Sequence, residues 1–358
     1  MWPATPRLRA AIEPAETLLI AAAGGIAFAL LGFPAGLVSG SVLAVSAAAL
    51  LGRPVKVPIA LARVGYVIIG IQLGAVVTPE TVRGFLIWPA SIALLVVASI
   101  AMIVATASYL RAVHHWDPLS ALMGASPGSM IQVIALSTEL GADLRAIAIV
   151  QTMRVLLLTI GIPAGLALFG LVAPALPSAH GPAGLSSLPE MAIIVVVSTT
   201  SAFALMRLRF PGGLIFGAMA GSGILHGAGL VSAVLPWWIG GAAVIVLGAV
   251  VGSRFSGASP RLLLGYLGAA FGSFAVSLTI AGVFVVLVTY LFPFPVANVV
   301  VAFSPGAQDT MMVLALALHL DPVFVGAHHV ARFLVVTFTV AIAARRIVRE
   351  NPAPRQTQ

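Results

Sequence analysis

The chain has 358 residues, of which 60% are hydrophobic and only 8% charged, with a mean hydropathy of +1.13. A soluble domain carries about 25% charged residues, so this composition excludes a soluble two-domain protein and leaves a polytopic helical membrane protein. The absence of cysteine excludes a disulfide framework, iron–sulfur clusters and thiol catalysis, and ten acidic residues leave little for carboxylate metal cages. The formal charge of +8 comes from 18 Lys and Arg, with Lys56 the one lysine. In a membrane protein such an excess reads as an orientation signal, not as a nucleic-acid surface.

A helix needs roughly 20 apolar residues to cross the hydrocarbon core. After a polar tail at 1–16, twelve apolar segments follow in two sets of six. The first set lies near 17–33, 34–52, 58–78, 86–110, 118–140 and 144–173. A Pro/Gly/Ser/Ala-rich linker spans 174–188. The second set lies near 189–207, 211–229, 235–255, 262–292, 296–318 and 322–344. The membrane repeats are therefore expected at 17–173 and 189–345, with a second tail at 346–358. Glu13 and Glu16 precede the first segment and another apolar run follows it, which argues against a cleaved signal peptide.

The two sets are copies of one another. Ser126-Pro127-Gly128 recurs 178 residues later as Ser304-Pro305-Gly306, and at that offset Asp143 meets Asp321, Arg154 meets Arg332 and Thr159 meets Thr337. Phe33-Pro34, Gly36 and Gly40 match Phe210-Pro211, Gly213 and Gly217, and Gly70-xxx-Gly74 matches Gly248-xxx-Gly252. If every segment crossed, Arg145, Arg207, Arg209, Arg254 and Arg261 would all lie outside, against the positive-inside rule. If the fifth segment of each copy instead dips in and returns at its Ser-Pro-Gly break, all five move to the cytoplasmic side and Arg83 alone stays outside. The expected fold is an all-α polytopic membrane protein of two inverted repeats, each with five transmembrane helices and one re-entrant, broken hairpin. Both termini are then cytoplasmic.

Pro127 removes a backbone donor and Gly128 permits a sharp bend. Broken backbone at membrane depth is tolerated only where protein or a wet cavity surrounds it. The half-helix after each break aims free N–H groups and a positive dipole end at the bend. Paired half-helix ends at a repeat interface are the layout of a secondary-transporter binding site. The candidate substrate-binding residues are Ser126, Gly128, Ser129, Gln132, Gln151 and Arg154 in the first copy. Those of the second are Ser304, Gly306, Gln308, Thr310 and Arg332. A guanidinium is a planar fork suited to carboxylate or phosphate, and Arg154 and Arg332 are too deep in their segments to reach an end. They suit an anionic substrate; the alternative is that they cap hairpin carbonyls or pair with Asp309. Asp309 is the one acid of its hairpin and is expected to carry a coupling ion or proton. Its alternatives are a structural salt bridge to Arg332, or surface exposure. Arg63, Tyr66 and Gln72 on the third segment are weaker candidates, Gln72 as a bridge between helices.

Other motifs carry no chemistry. Gly124-Ala-Ser126-Pro-Gly128 fits a nucleophile-elbow pattern but lies in an apolar hairpin without the required strand–turn–helix context. The histidines offer no metal-ligand spacing, and of the adjacent His328 and His329 one is expected in packing or at the interface. No Walker-type loop is present, so ATP is not a direct driver. No cofactor or metal is expected.

The Ser-Pro-Gly hairpins, the Gly141-Ala142-Asp143-Leu-Arg145…Gln151-Thr-Met-Arg154 run, the Phe303-Ser-Pro-Gly-Ala-Gln-Asp-Thr-Met-Met312 run and the duplication resemble the AbrB family of bacterial membrane proteins. The likeness covers about residues 17–345. Typical members read Ser-Pro-Gly-Gly in both copies, where Ser129 and Ala307 stand here. The second copy reads Leu320-Asp321-Pro322 in place of the Gly-Ala-Asp-x-Arg spacing, so its turn is expected to differ. Members are labelled regulators of AidB expression or ammonia monooxygenases, and the family is grouped with cation–proton antiporter and anion transporter folds. Nothing here resembles an oxygenase metal site, and the soluble DNA-binding protein of the same name is unrelated. The resemblance implies a carrier in the bacterial inner membrane. The expected function is secondary transport of a small, anionic solute coupled to protons or sodium, with no enzymatic activity. A core of two hairpins and their following helices would move against the remaining helices. Partners would be the lipid bilayer, the solute and a second copy in a homodimer, with no nucleic acid. The alternatives are a membrane sensor that alters gene expression through a partner, and a channel.

Overall fold

A computed structural model describes residues 6–76, 88–127, 130–172 and 188–350, and every regular element among them is a helix. The first copy contains α1 (Pro6–Leu30), α2 (Gly36–Leu50), α3 (Ile59–Gly74), α4 (Trp88–His114), the short α5 (Pro118–Ala125), α6 (Met130–Leu140) and α7 (Leu144–Leu168). The second contains α8 (Leu188–Arg207), α9 (Gly213–Gly227), α10 (Trp237–Gly252), α11 (Pro260–Leu291), the short α12 (Val296–Phe303), α13 (Gln308–Ala317) and α14 (Pro322–Glu350). Each of the twelve apolar segments is thus a helix, except that 118–140 and 296–318 are each broken in two. Among the described residues seven helices are long and apolar enough to cross a membrane, while α2, α3 and α9 are shorter apolar helices.

Two ends depart from the sequence boundaries. The first helix begins at Pro6 and carries Pro14 inside it, so part of the stretch read as a tail is helical. The last helix continues to Glu350 because Ile347 and Val348 still pack on an apolar cluster.

The chain divides into two compact units. One comprises Met1–Leu86, Leu156–Pro260 and Asp309–Gly326; the other comprises Ile87–Val155, Arg261–Gln308 and Ala327–Gln358. In the first unit α1 packs on α2 and α8 on α9, each pair drawn close by glycines. A Cβ on Gly36 would crowd the α1 backbone at Phe28 and Ala29, and one on Gly213 would crowd the α8 backbone at Leu205 and Met206. Both α2 and α9 start from a left-handed residue, Ala35 (φ 51°) and Gly212 (φ 64°).

The small-residue motifs then cross between copies. Gly70 and Gly74 of α3 lie on α9, where a Cβ on Gly70 would sit 2.6 Å from Ala218 Cβ and one on Gly74 2.6 Å from Ser222 Cβ. Gly248 and Gly252 of α10 lie on α2, where the corresponding distances are 2.6 Å to Ser41 Cβ and 2.7 Å to Val45 Cβ. Backbones that approach this closely gain dispersion contacts that lipid cannot supply. Ser222 reinforces the first contact by donating to the Ile71 carbonyl at 2.8 Å.

In the second unit Leu119, Leu122 and Met123 of α5 pack with Ile103, Val133 and Ile147 and with Val336, Val340 and Ala344 of α14. Tyr109 near the end of α4 donates to the Gly268 carbonyl, and Trp116 meets Tyr266 edge to face at 6.2 Å. The turns after the broken segments are equivalent, contrary to the expectation from Leu320-Asp321-Pro322. His319 (φ 54°) takes the left-handed place of Gly141 (φ 77°). Asp321 Oδ1 accepts from the amides of Val323 and Phe324 as Asp143 Oδ1 accepts from those of Arg145 and Ala146. The capping carboxylate decides the turn, and the altered spacing around it is absorbed by one strained residue.

Candidate functional site

Each break creates a specific debt of backbone hydrogen bonds. A proline cannot donate to the carbonyl four residues before it, so Pro127 orphans Met123 O and Pro305 orphans Val301 O. The structure supplies both. Gln151 Nε2 donates to Met123 O at 2.9 Å, and His329 Nε2 lies 3.1 Å from Val301 O. Gln151 and His329 are themselves 178 residues apart, so one position of the repeat does the same work with two different residue types.

The arginines serve the next carbonyls. Arg154 donates to Ser126 O at 3.0 Å and to Ala125 O at 3.4 Å. Arg332 donates to Ser304 O, to Gly306 O at 3.0 Å and to His329 Nδ1. Because a guanidinium only donates and a carbonyl only accepts, His329 is held as the neutral tautomer with its proton on Nε2. Cations here also face the negative end of the α5 and α12 dipoles. The carbonyl-capping role that the sequence left open is therefore the one both side chains have in this conformation.

Both guanidiniums are buried, Arg154 at 5% exposure and Arg332 at 2%, and near enough to repel one another. Their hydrogen-bond partners among the described residues are all neutral. Arg154 Nε and the hydroxyl of Ser126, which is 1% exposed, are buried without a hydrogen-bond partner among the described residues. Ser304 differs from its counterpart, because its hydroxyl donates to Val300 O at 2.6 Å. Neither histidine is interfacial: His328 is fully buried and bonded to Ser91 Oγ at 2.9 Å, and His329 is 1% exposed. Gly128, Ser129 and the side chain of Gln132 lie outside the described residues.

A separate polar group belongs to the first unit. Asp309, half-buried at the start of α13, accepts a hydrogen bond from the Tyr66 hydroxyl and has Arg254 as its nearby cation. Arg332 is bonded elsewhere, to the carbonyls of its own break. Thr310, 2% exposed, has a hydroxyl without a partner among the described residues. Arg63 is exposed, and the Gln72 amide packs against Gly240 of α10. Sequence reasoning missed Arg254, which looked like a loop charge, and undervalued Tyr66. Among the described residues no cluster of three His, Asp or Glu could hold a metal ion.

A family model described as "Transition state regulatory protein AbrB" matches residues 37–348. The chain belongs to the AbrB family. The uncharacterized protein YhjN of Bacillus subtilis (strain 168) is 26% identical over 347 residues, covering 89% of this chain and 89% of its own. The AbrB match takes in both breaks, both arginines and Asp309, so the duplicated architecture described above lies within the family's own boundaries.

Proposed function

We propose that this AbrB-family chain is a secondary carrier of a small anion in a bacterial inner membrane. In this reading ten helices cross, the two broken segments dip in and return, the copies are inverted, and both termini are cytoplasmic. The observation that carries it is the pair of buried guanidiniums at equivalent breaks, with no carboxylate among their described hydrogen-bond partners. Leaving two positive charges in low dielectric is costly unless something offsets them. A bound anion does so, and the unpartnered Arg154 Nε and Ser126 Oγ are donors ready for its oxygens. Gln151 and His329 hold the broken backbone in place, which fixes the fork of each arginine.

The experiment is uptake by purified protein in liposomes, using labelled acetate, succinate, citrate and phosphate under imposed proton or sodium gradients. Saturable uptake of at least one anion is expected. Arg154→Met and Arg332→Met should lower it about ten- to a hundred-fold, the worth of one charge-assisted hydrogen bond of about 1.5–3 kcal/mol, with the lysine variants intermediate. If none of the four anions moves, or if the methionine variants carry it at the original rate, the reading is wrong.

A further inference from the structure

One exposed face of α4 changes chemistry along its length. Val97, Ile100 and Val104 are exposed, and Ser108 and Arg111 follow at the same three- and four-residue steps, also exposed. Such steps keep residues on one side of a helix, so an apolar stripe of about two turns runs into a hydroxyl and a guanidinium. Just past the helix, His115 (φ 57°) takes left-handed backbone. Ser108, Arg111 and His115 together line an open cavity of about 540 Å³ with Trp116 and Pro118, a volume in the range of small-ligand clefts. The surroundings hold this corner in shape. Trp116 meets Tyr266 edge to face and packs on the apolar cluster shared by α5 and α14. Tyr109 sits in the notch at Gly272 of α11, with its hydroxyl donating to Gly268 O and bonded to His114 Nε2 at 3.1 Å. The acids Asp117 and Asp143 are turned to helix amides, those of Leu119 and Ser120 and those of Arg145 and Ala146. The last turns of α14, packed on the same cluster, add exposed Arg345, Arg346 and Arg349 against Glu350.

We propose that the cavity between α4 and α5 is a headgroup site for an anionic diacyl phospholipid. Its phosphate oxygens lie on the Arg111 fork, which suits phosphate geometry, with Ser108 and His115 as further donors. One acyl chain follows Val104, Ile100 and Val97. Basic pockets at the ends of membrane helices recognise such headgroups, and tryptophan belongs at the same depth, where one end of the ring is wet. A free phosphate would suit the cations equally. The lipid is favoured because the apolar stripe leaves the cavity directly below the phosphate, where an esterified chain has to run. A headgroup with its own ammonium brings a second cation towards the arginines, so a net negative one fits better. The site goes beyond the carrier reading and rests only on the chain crossing a bilayer.

The test is a lipid titration of the full chain in detergent, read by native mass spectrometry, with phosphatidylglycerol and phosphatidylcholine of the same acyl chains. Phosphatidylglycerol should bind more tightly. Arg111→Gln should weaken it about five-fold, the worth of one cation at an anionic lipid surface, and Arg111→Lys should keep most of the affinity. Val104→Asn should weaken it while leaving the headgroup donors in place. Arg207→Gln, exposed at the end of α8, should change nothing. Equal affinity for the two lipids, or an Arg111→Gln variant that binds like the parent, overturns the proposal. An equal loss in Arg207→Gln also overturns it, since binding would then follow diffuse charge. Soluble glycerophosphate that displaces the lipid at equal concentration makes this a free-phosphate site and overturns the lipid assignment. Size-exclusion profiles report folding, and if Arg111→Gln fails to fold, undiminished binding by Val104→Asn refutes the site on its own. Uptake of the labelled anions is a separate measurement, so failure of the carrier reading and failure of the lipid site are told apart.

Discussion

Replacing His329 tests the account of the breaks most directly. His329→Leu removes the donor to Val301 O and the acceptor for Arg332 in a position that is 1% exposed. Hydrogen bonds between membrane helices are worth about 0.6 kcal/mol on average and up to about 1.7. A buried group left without its partner adds about 1–3 kcal/mol. Together these put the loss at about 2–4 kcal/mol. At roughly 2–4 °C per kcal/mol for a chain somewhat smaller than this, the apparent melting temperature in detergent should fall by several degrees. His329→Gln is the internal control, because Gln151 already performs the same donation to Met123 O in the first copy. A glutamine amide can donate to Val301 O and offer its carbonyl oxygen to Arg332, so this variant should stay within about 1 kcal/mol of the original. The same pair of measurements on Gln151→His and Gln151→Leu should give the same ranking. If His329→Leu melts with the parent, or His329→Gln is as damaging as His329→Leu, the orphaned carbonyl is not what the histidine serves.

Two further outcomes follow from the packing and the turns, both read by thermal unfolding in detergent. Gly74→Ala and Gly252→Ala should each cost about 1–3 kcal/mol through overpacking, since the new Cβ would stand 2.5 Å from Met219 O and 2.7 Å from Val45 Cβ; Gly165→Ala, with open space around it, should be neutral or stabilising by up to about 1 kcal/mol. His319→Gly should stabilise by about 1 kcal/mol by relieving a left-handed backbone and Gly141→Ala should destabilise by a similar amount, while loss of either cap in Asp143→Ala or Asp321→Ala should cost about 1 kcal/mol.

The breaks, the arginines and the duplication were legible because proline, glycine and charge stand out in apolar sequence. Pro127 and Pro305 predict where α5 and α12 end, and the matched Arg154 and Arg332 predict one role in two copies. The match of Gln151 with His329 was half legible: Gln151 and the pair His328–His329 stand at the same level before the matched arginines, but identity does not tell which histidine donates. The signal existed in the carbonyl that each proline orphans, which demands some donor nearby. Tyr66, Arg254 and Asp309 meet from distant parts of the chain, and no local period announces such a meeting. His319 was missed for the opposite reason: local preference favours Gly or Asn in a left-handed turn, and a capping aspartate overrode it.

The exchange of Gly-xxx-Gly faces has a consequence for how such a chain arises. The groove that receives α3 belongs to α9, and the groove that receives α10 belongs to α2, so neither copy can satisfy its own narrow helix face. An ancestor with a single copy would have had to borrow a sister molecule. With both copies in one chain, that borrowing is an encounter within a single molecule.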